Sequence, residues 1–256
     1  MHILLKHIIK YFQPNSWFFW NFIMNNNIII FGYGTGISKA VAHKFGKEGY
    51  KIGLVARNAE KLEKAILELK TQGIEAYAFT CDLAVLEDIP NLVKRIKDQF
   101  GEIKNIHWNA FHDIEGNILE TNPLDLTQSF HIRVSSYIAT VQACLRDLEK
   151  NNGSILSTNG IFAFDAVGID LVAKEYSSLA IAAAAQYKTT NLLAHSLADS
   201  NVYVSQVIVN GFVDGTPGAQ DKSYTVHPET IAEQFWYLHQ HKQETVSLCG
   251  EAIQAA

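Results

Sequence analysis

Short apolar segments alternate with longer amphipathic segments from Ile28 onward. The short segments are rich in β-branched residues, as buried strands are, whereas the longer ones repeat apolar residues at helical spacing. Within residues 59–71, for example, Leu62, Ile66 and Leu69 fall on one helical face. Strands that alternate with helices in this way build βαβ units and a parallel sheet. The pattern therefore predicts an α/β fold of the Rossmann type, with a doubly wound parallel sheet.

The order of elements predicts a single domain. The predicted strands are 28–31, 50–56, 75–80, 106–110, 153–158 and 201–210. The predicted helices are 37–47, 59–71, one centred on 91–96, 123–150, 176–198 and one that begins at Pro228. No repeat or low-complexity linker interrupts this order, so we expect one domain over residues 25–256 and an extension over residues 1–24. With 256 residues, 48% of them hydrophobic, the chain can bury the core of such a domain.

Glycines crowd the connection between the first predicted strand and the first predicted helix, where residues 32–36 read G-Y-G-T-G. A glycine at the end of a strand permits a tight turn, and a second lets backbone amides approach a pyrophosphate at the helix N-terminus. The phosphate-binding residues predicted for a dinucleotide site are Gly32, Gly34, Thr35, Gly36 and Ile37. A purely structural turn is the alternative, because the spacing is not G-x-G-x-x-G.

Arg57 stands at the end of the second predicted strand, followed by Asn58. In dinucleotide folds an acidic residue at this position binds the ribose hydroxyls of NAD, whereas an arginine pairs with the 2′-phosphate of NADP. Residues 54–58 contain no carboxylate. The sequence therefore predicts NADP as the cofactor, with Arg57 and Asn58 beside its adenosine. A solvated arginine at the start of a helix is the alternative.

These features make the chain resemble the short-chain dehydrogenase/reductase family from about Ile28 to the last helix. The glycine motif of that family is G-x-x-x-G-x-G, and its glycine positions fall on Gly32, Gly36 and Ser38, the third being replaced. Residues 81–83 (C-D-L) match the family's contact with adenine, and residues 108–111 (W-N-A-F) are similar to its N-N-A-G stretch. The resemblance implies cofactor contacts from Asp82, Leu83, Asn109 and Ala110.

The catalytic residues of that family do not carry over directly. The family uses a tyrosine with a lysine four residues later, a serine and an asparagine, yet no tyrosine of this chain is followed by lysine at that spacing. An alignment anchored on residues 196–198 (S-L-A) assigns the four family positions, in the order Tyr, Lys, Ser and Asn, to Ala183, Tyr187, Gly160 and Arg133. The resemblance leaves Tyr187 and the adjacent Lys188 as candidate catalytic residues, one of which would deliver a proton. A Tyr187 that only packs against the sheet is the alternative.

Composition argues against several other classes of protein. The formal net charge of −5 offers no basic field for nucleic acid. Cys81, Cys144 and Cys249 lack the short spacings of a zinc site or a disulfide framework, which favours a reducing, cytoplasmic compartment. His239 and His241 are two residues apart and would point to different faces of a helix, so no metal is expected.

Residues 1–24 are apolar, aromatic and mildly basic, but Lys6, Lys10 and Pro14 interrupt them. This segment is too broken for a membrane span or a secretory signal. We favour the interpretation that these residues precede a translation start at Met24, because the first strand follows almost at once. The alternative is an interfacial anchor that uses the aromatic residues 17–20.

Two functions suit the predicted domain. The first is an NADP-dependent oxidoreductase that acts on a small carbonyl or alcohol substrate. The second is an NADP-binding sensor or partner protein without turnover, because a fold does not establish a function. A membrane-surface protein that carries the domain as cargo is a third hypothesis for the whole chain. The helix over 123–150 pairs subunits in the resembling family, which implies a homodimer or homotetramer.

Overall fold

The computed structural model describes residues 26–112, 116–222 and 224–251. The strands in chain order are β1 (Asn27–Phe31), β2 (Lys51–Ala56), β3 (Ala76–Thr80), β4 (Asn105–Trp108), β5 (Ser154–Gly160), β6 (Tyr203–Val209), β7 (Phe212–Val213), β8 (Thr225–Val226) and β9 (Val246–Cys249). Seven of them form one sheet in the order β3-β2-β1-β4-β5-β6-β9, with every neighbouring pair parallel. β7 and β8 pair separately. The predicted Rossmann-type sheet is confirmed.

Helices cover the sheet on both sides. They are α1 (Ile37–Lys47), α2 (Ala59–Thr71), α3 (Ile89–Phe100), α4 (Pro123–Phe130), α5 (Tyr137–Lys150), α6 (Val167–Ala173), α7 (Ser177–Ser196) and α8 (Pro228–His241). A π-helical turn, His131–Ser136, joins α4 to α5. Since each strand runs toward the carboxyl edge of the sheet and the next helix returns from it, the starts of α1 and α2 lie at that edge.

Period-two alternation along β1 divides the core into two layers. Ile29 and Phe31 face the layer that contains α3 and α5, while Ile28 and Ile30 face the layer of α1, α2 and α8. All residues of β1 are buried, as expected for a central parallel strand covered on both faces. The glycine turn therefore follows directly on a strand that is buried throughout.

Several predicted boundaries need correction. The predicted helical stretch over 123–150 is present, but its middle, residues 131–136, is a π-helical turn that widens the coil. β4 ends at Trp108, so Asn109 and Ala110 lie in the loop beyond the strand. The predicted elements do not include the edge strand β9, the two-residue strands β7 and β8, or the seven-residue helix α6. The expectation for residues 1–24 lies outside the described residues.

Candidate cofactor and active site

Gly32 turns the chain sharply at the end of β1. Its φ is +86°, and a Cβ atom built on it would lie 2.5 Å from both N and Cα of Ala110. The amides of Gly32 and Tyr33 both donate to the carbonyl of Val55, at 3.0 and 2.9 Å. The backbone conformation and the close approach of two loops therefore require a glycine at this position.

Gly36 and Gly34 meet different surroundings in the same turn. A Cβ on Gly36 would lie 2.7 Å from Cγ2 of Thr216, in the loop after β7. Gly34 is exposed, and a Cβ there would meet nothing within 4 Å. Gly32 and Gly36 are therefore closely packed against other parts of the protein, whereas Gly34 borders open space.

Ser38 stands where the third glycine of the family motif was assigned, and it closes the turn. Its completely buried hydroxyl accepts from the amide of Gly34 at 2.8 Å and donates to the carbonyl of Gly34 at 3.3 Å. Among the described residues, no side chain caps the start of α1 at Gly36. The amide of Lys39 donates to the carbonyl of Gly36 at 3.1 Å, whereas those of Ile37 and Ser38 precede the first intrahelical bonds, and an anion at this turn can accept from them.

The residues predicted to bind adenosine follow β2 and β3 at the same edge. Arg57 is exposed directly after β2, and the side chain of Asn58 caps α2 by accepting from the amide of Lys61 at 2.9 Å. Asp82 accepts from the amide of Ala84 at 3.0 Å, which fixes the turn after β3, and Leu83 is buried. Asn58 therefore caps a helix and Leu83 belongs to the core, which leaves Arg57 and Asp82 as the polar side chains accessible to a ligand.

Asn109 and Ala110 complete the edge after β4. The amide of Asn109 donates to the carbonyl of Phe31 at 2.8 Å, and its side-chain amide donates to the carbonyl of Gly32 at 3.3 Å. Ala110 forms the wall that a side chain on Gly32 would strike. These contacts hold the loop after β4 against the glycine turn.

Asn159, near the end of β5, contacts three of the positions that the alignment assigned to the family's catalytic side chains. These positions are Arg133, Gly160 and Ala183. Asn159 Oδ1 accepts from the amide of Gly160 at 2.9 Å and from Nη1 of Arg133 at 3.4 Å. Its Nδ2 donates to the carbonyl of Ala183 at 3.0 Å. Asn159 is 2% exposed. Sequence reasoning missed this residue, because it is one of several polar side chains in β5, beside Ser154, Ser157 and Thr158.

Arg133 is held in one orientation by contacts from three elements. It lies in the π-helical turn, is 6% exposed, and donates from Nη1 to Oε1 of Gln186 on α7 at 2.8 Å. Its guanidinium also lies over the ring of Phe111, 5.5 Å from the centroid. A cation fixed in this way beside Gly160, whose Cβ direction is open, can stabilise negative charge nearby.

Tyr187 and Lys188 are both on α7 but face different surroundings, as adjacent helical residues do. The half-buried ring of Tyr187 meets the ring of Phe164 edge-on at 5.2 Å and packs against a small cluster that includes Ile208. Lys188 is exposed. Tyr187 thus has a packing contact that supports the alternative to a catalytic role, while its hydroxyl makes no hydrogen bond within the described part of the chain.

Burial keeps other titratable side chains near the sheet neutral. Burial lowers the pKa of His107 to about 3, and its Nε2 lies 3.0 Å from the hydroxyl of Thr158. Burial raises the pKa of Tyr137 to about 12. Burial, with a smaller contribution from Glu68, raises the pKa of Tyr33 to about 12. None of these three groups is suited to exchange protons near neutral pH.

The described ranges 26–112, 116–222 and 224–251 contain neither a metal-ligand cluster nor a membrane-spanning helix. No group of three or more histidine, cysteine or carboxylate side chains that could hold a metal ion occurs there. No helix in these ranges has the length and apolar character needed to cross a bilayer.

Comparison with known proteins identifies the family. The model of the short chain dehydrogenase family matches residues 26–226. Human short-chain dehydrogenase/reductase 3 is 28% identical over 162 residues, which are 62% of this chain and 54% of that protein. The chain thus spans about half the length of this mammalian relative. An uncharacterized oxidoreductase of Staphylococcus aureus is 24% identical over 82% of this chain and 88% of its own length.

A solved structure supports the fold independently. A short chain dehydrogenase from Burkholderia cenocepacia, in complex with NADP, superposes with a TM-score of 0.77 at 19% identity and covers 90% of this chain and 97% of its own. That likeness concerns the fold alone, whereas the family model covers both the glycine turn and β5. The chain is a member of the short-chain dehydrogenase family.

Proposed function

We propose that this protein is an NADP-dependent oxidoreductase that interconverts a small carbonyl compound and its alcohol in the cytoplasm. The observation that carries the proposal is the glycine turn, which leaves open space beside Gly34 at the start of α1 while Arg57 stands exposed at the same edge. Three buried free thiols suit a reducing compartment. The NADP complex of the Burkholderia relative supports the choice of cofactor class.

The residues at the carboxyl edge fit a dinucleotide. Gly34, Thr35, Gly36 and the first-turn amides of α1, beginning at Ile37, would bind the pyrophosphate. Arg57 would pair with the 2′-phosphate, and Asp82 would lie beside the adenine. When bound, the nicotinamide supplies or accepts the hydride.

We assign the proton to Tyr187, with Lys188 as the second candidate. Reduction of a carbonyl leaves a negatively charged oxygen that must receive a proton, and Gly160 and Ala183 offer no hydroxyl for this step. Tyr187 stands at the position of the family lysine on α7, and its phenol can donate. Arg133, held beside Gly160, would stabilise the charge on that oxygen before the proton arrives.

Cofactor selectivity tests the first half of the proposal. Arg57→Ala should weaken NADPH binding by about 1.5 to 3 kcal/mol, roughly 10- to 150-fold, because one charge-assisted hydrogen bond to the phosphate is lost. NADH affinity should stay nearly unchanged in calorimetric titrations. Arg146→Ala is the matched control, since it removes an exposed arginine from α5. An equal loss of affinity for NADPH and NADH would show that Arg57 does not bind the 2′-phosphate.

Turnover tests the second half. NADPH oxidation is followed against a panel of aldehydes, ketones and imines, and the most active substrate is used to compare Tyr187→Phe with Lys188→Met. A general acid contributes about 10²- to 10⁴-fold, so Tyr187→Phe should lower kcat at least about a hundredfold while NADPH binding is retained.

A second function is favoured by one specific observation, the absence of a hydroxyl at both Gly160 and Ala183. Tight NADPH binding without oxidation by any substrate of the panel would identify a cofactor-binding sensor or partner protein. Unchanged turnover in both α7 variants would instead leave an active enzyme whose proton comes from elsewhere.

A further inference from the structure

A polar cavity of about 280 Å³ lies at the amino-terminal edge of the sheet, opposite the glycine turn. It is bordered by the residue before β1, the start of β4 and the ends of α5 and α8. None of its lining residues in the described part of the chain is acidic. A water molecule occupies about 30 Å³ in the liquid, so the cavity has room for an ion the size of phosphate or citrate.

Two lysines and two amides present hydrogen-bond donors to this cavity. Lys242 caps α8 and donates from Nζ to the carbonyl of Asn152 at 2.8 Å, which uses one of its three donors. Lys104 Nζ makes no hydrogen bond or ion pair with any residue the structure describes, and the same holds for the side chains of Asn26 and Gln240. Several N–H groups thus converge on the cavity with capacity to bind a ligand.

The local charge balance is positive. Lys104 and Lys242 contribute two full charges, whereas the C-terminal ends of α5 and α8 contribute about half a negative charge each. The nearby carboxylate of Glu102 is outside the lining and is paired with Lys150 and Asn151, and the charge of Lys104 makes a smaller contribution to lowering the pKa of that carboxyl. The sum is about one positive charge at the cavity, so the binding of an anion is favoured.

The wall of the cavity is fixed by a chain of hydrogen bonds. The hydroxyl of Tyr50 lies 2.7 Å from Nε2 of His239, whose Nδ1 lies 2.9 Å from the hydroxyl of Ser154. Burial, together with the charge of Lys242, lowers the pKa of His239 to about 4, so this imidazole is neutral at pH 7. A rigid, preformed wall reduces the entropy lost on binding.

We propose that this cavity is a second ligand site, which binds a small polyvalent oxyanion through Lys104 and Lys242, with the amides of Asn26 and Gln240 as additional donors. Phosphate groups and polycarboxylates share the chemistry that these donors recognise. The site lies at the opposite edge from the dinucleotide residues and does not depend on the proposed reaction.

Calorimetric titration of the full chain with inorganic phosphate and with citrate tests the proposal, with sodium chloride at equal ionic strength as the reference. We expect saturable binding of at least one anion, weakened about 10-fold or more by Lys104→Gln, because a charge-assisted hydrogen bond to the anion is lost. Lys242→Asn should act similarly, because asparagine tolerates the left-handed φ of +53° at this position. Lys70→Met, which removes an exposed lysine of α2, is the matched control.

The outcomes separate this site from the dinucleotide site. Anion binding that persists in protein saturated with NADPH supports the cavity, and loss of binding under NADPH would place the anion at the glycine turn and overturn the proposal. Stronger binding of phosphate identifies a phosphate group as the ligand, and stronger binding of citrate identifies a polycarboxylate. Absence of saturable binding in the parent protein, or binding by both lysine variants that is as tight as that of the parent, would also overturn it. Circular dichroism of each variant confirms that it is folded.

Discussion

Replacement of Gly32 by alanine should destabilise the whole domain. A non-glycine residue at the φ of +86° costs about 1 to 2 kcal/mol. The added Cβ would lie 2.5 Å from backbone atoms of Ala110, and overpacking of this kind costs about 1 to 3 kcal/mol. Because the obstructing atoms belong to the backbone, a rotamer change cannot relieve the contact. The free energy of unfolding should therefore fall by about 2 to 5 kcal/mol.

Urea unfolding and calorimetry measure this loss. For a domain of this size about 1 kcal/mol corresponds to a shift of roughly 2 to 4 °C in Tm, so Gly32→Ala should lower Tm by about 4 to 20 °C. Gly34→Ala, two residues along the same turn, is the control. Its Cβ meets nothing within 4 Å and its φ lies outside the left-handed region, so its stability should change by no more than about 0.5 kcal/mol. Equal stability of Gly32→Ala and the parent would refute the reasoning.

Three further predictions concern the interior, the pH profile and assembly. Asn159→Leu leaves buried partners on β5 and α7 unsatisfied and should lower the free energy of unfolding by about 2 to 5 kcal/mol in urea titrations; a loss below about 1 kcal/mol would contradict the role of this residue. Burial holds the pKa of His107 at about 3 and that of His239 at about 4, below the 6.5 of an unperturbed histidine. As the pH falls, these histidines are therefore protonated at a higher pH in the unfolded chain than in the folded protein. Stability should be greatest above pH 6.5 and fall by up to about 1.4 kcal/mol per pH unit for each histidine as the pH drops toward 5, and a flat profile between pH 7 and 5 would oppose this. Light scattering should give a dimer or tetramer at micromolar concentration, and a monomer would contradict this prediction.

The apolar stripe of α5 shows how tertiary contacts settle what sequence leaves open. This stripe consists of apolar residues at helical spacing, and such spacing suits either a subunit interface or the domain's own sheet: Ile138, Val141, Cys144, Leu145 and Leu148. In the structure Val141, Cys144 and Leu148 are buried in the core layer shared with α3, so they belong to this domain's interior. Helical periodicity identifies a buried face but does not say what covers it.

The strongest local patterns fixed the corresponding elements closely. α1 and α2 begin and end at the predicted residues, because each has a defined start and a sustained apolar face. β9 was missed, since it has only four residues and pairs on one side with β6. α6 was missed because seven residues are too few to show a helical period, and only Ile169 and Ala173 in it are buried.

The candidate site was predictable on the cofactor side and much less so on the catalytic side. Glycines and a strand-terminal arginine act through backbone geometry and charge, which sequence order displays directly. Asn159 acts by joining β5, α7 and the π-helical turn, three elements far apart along the chain. No spacing rule brings such partners together, so the network became visible only once the fold was known.

The aromatic column beneath the cofactor edge gives the protein an intrinsic optical probe. Trp108 is completely buried between the rings of Phe31 and Tyr137, with centroid distances of 5.6 and 5.3 Å. It immediately precedes Asn109, whose side chain donates a hydrogen bond to the carbonyl of Gly32 in the glycine turn. A variant in which the other tryptophans are replaced by phenylalanine would therefore emit from one indole in a dry, rigid setting. Its emission would change when the packing of Trp108 between Phe31 and Tyr137 is lost.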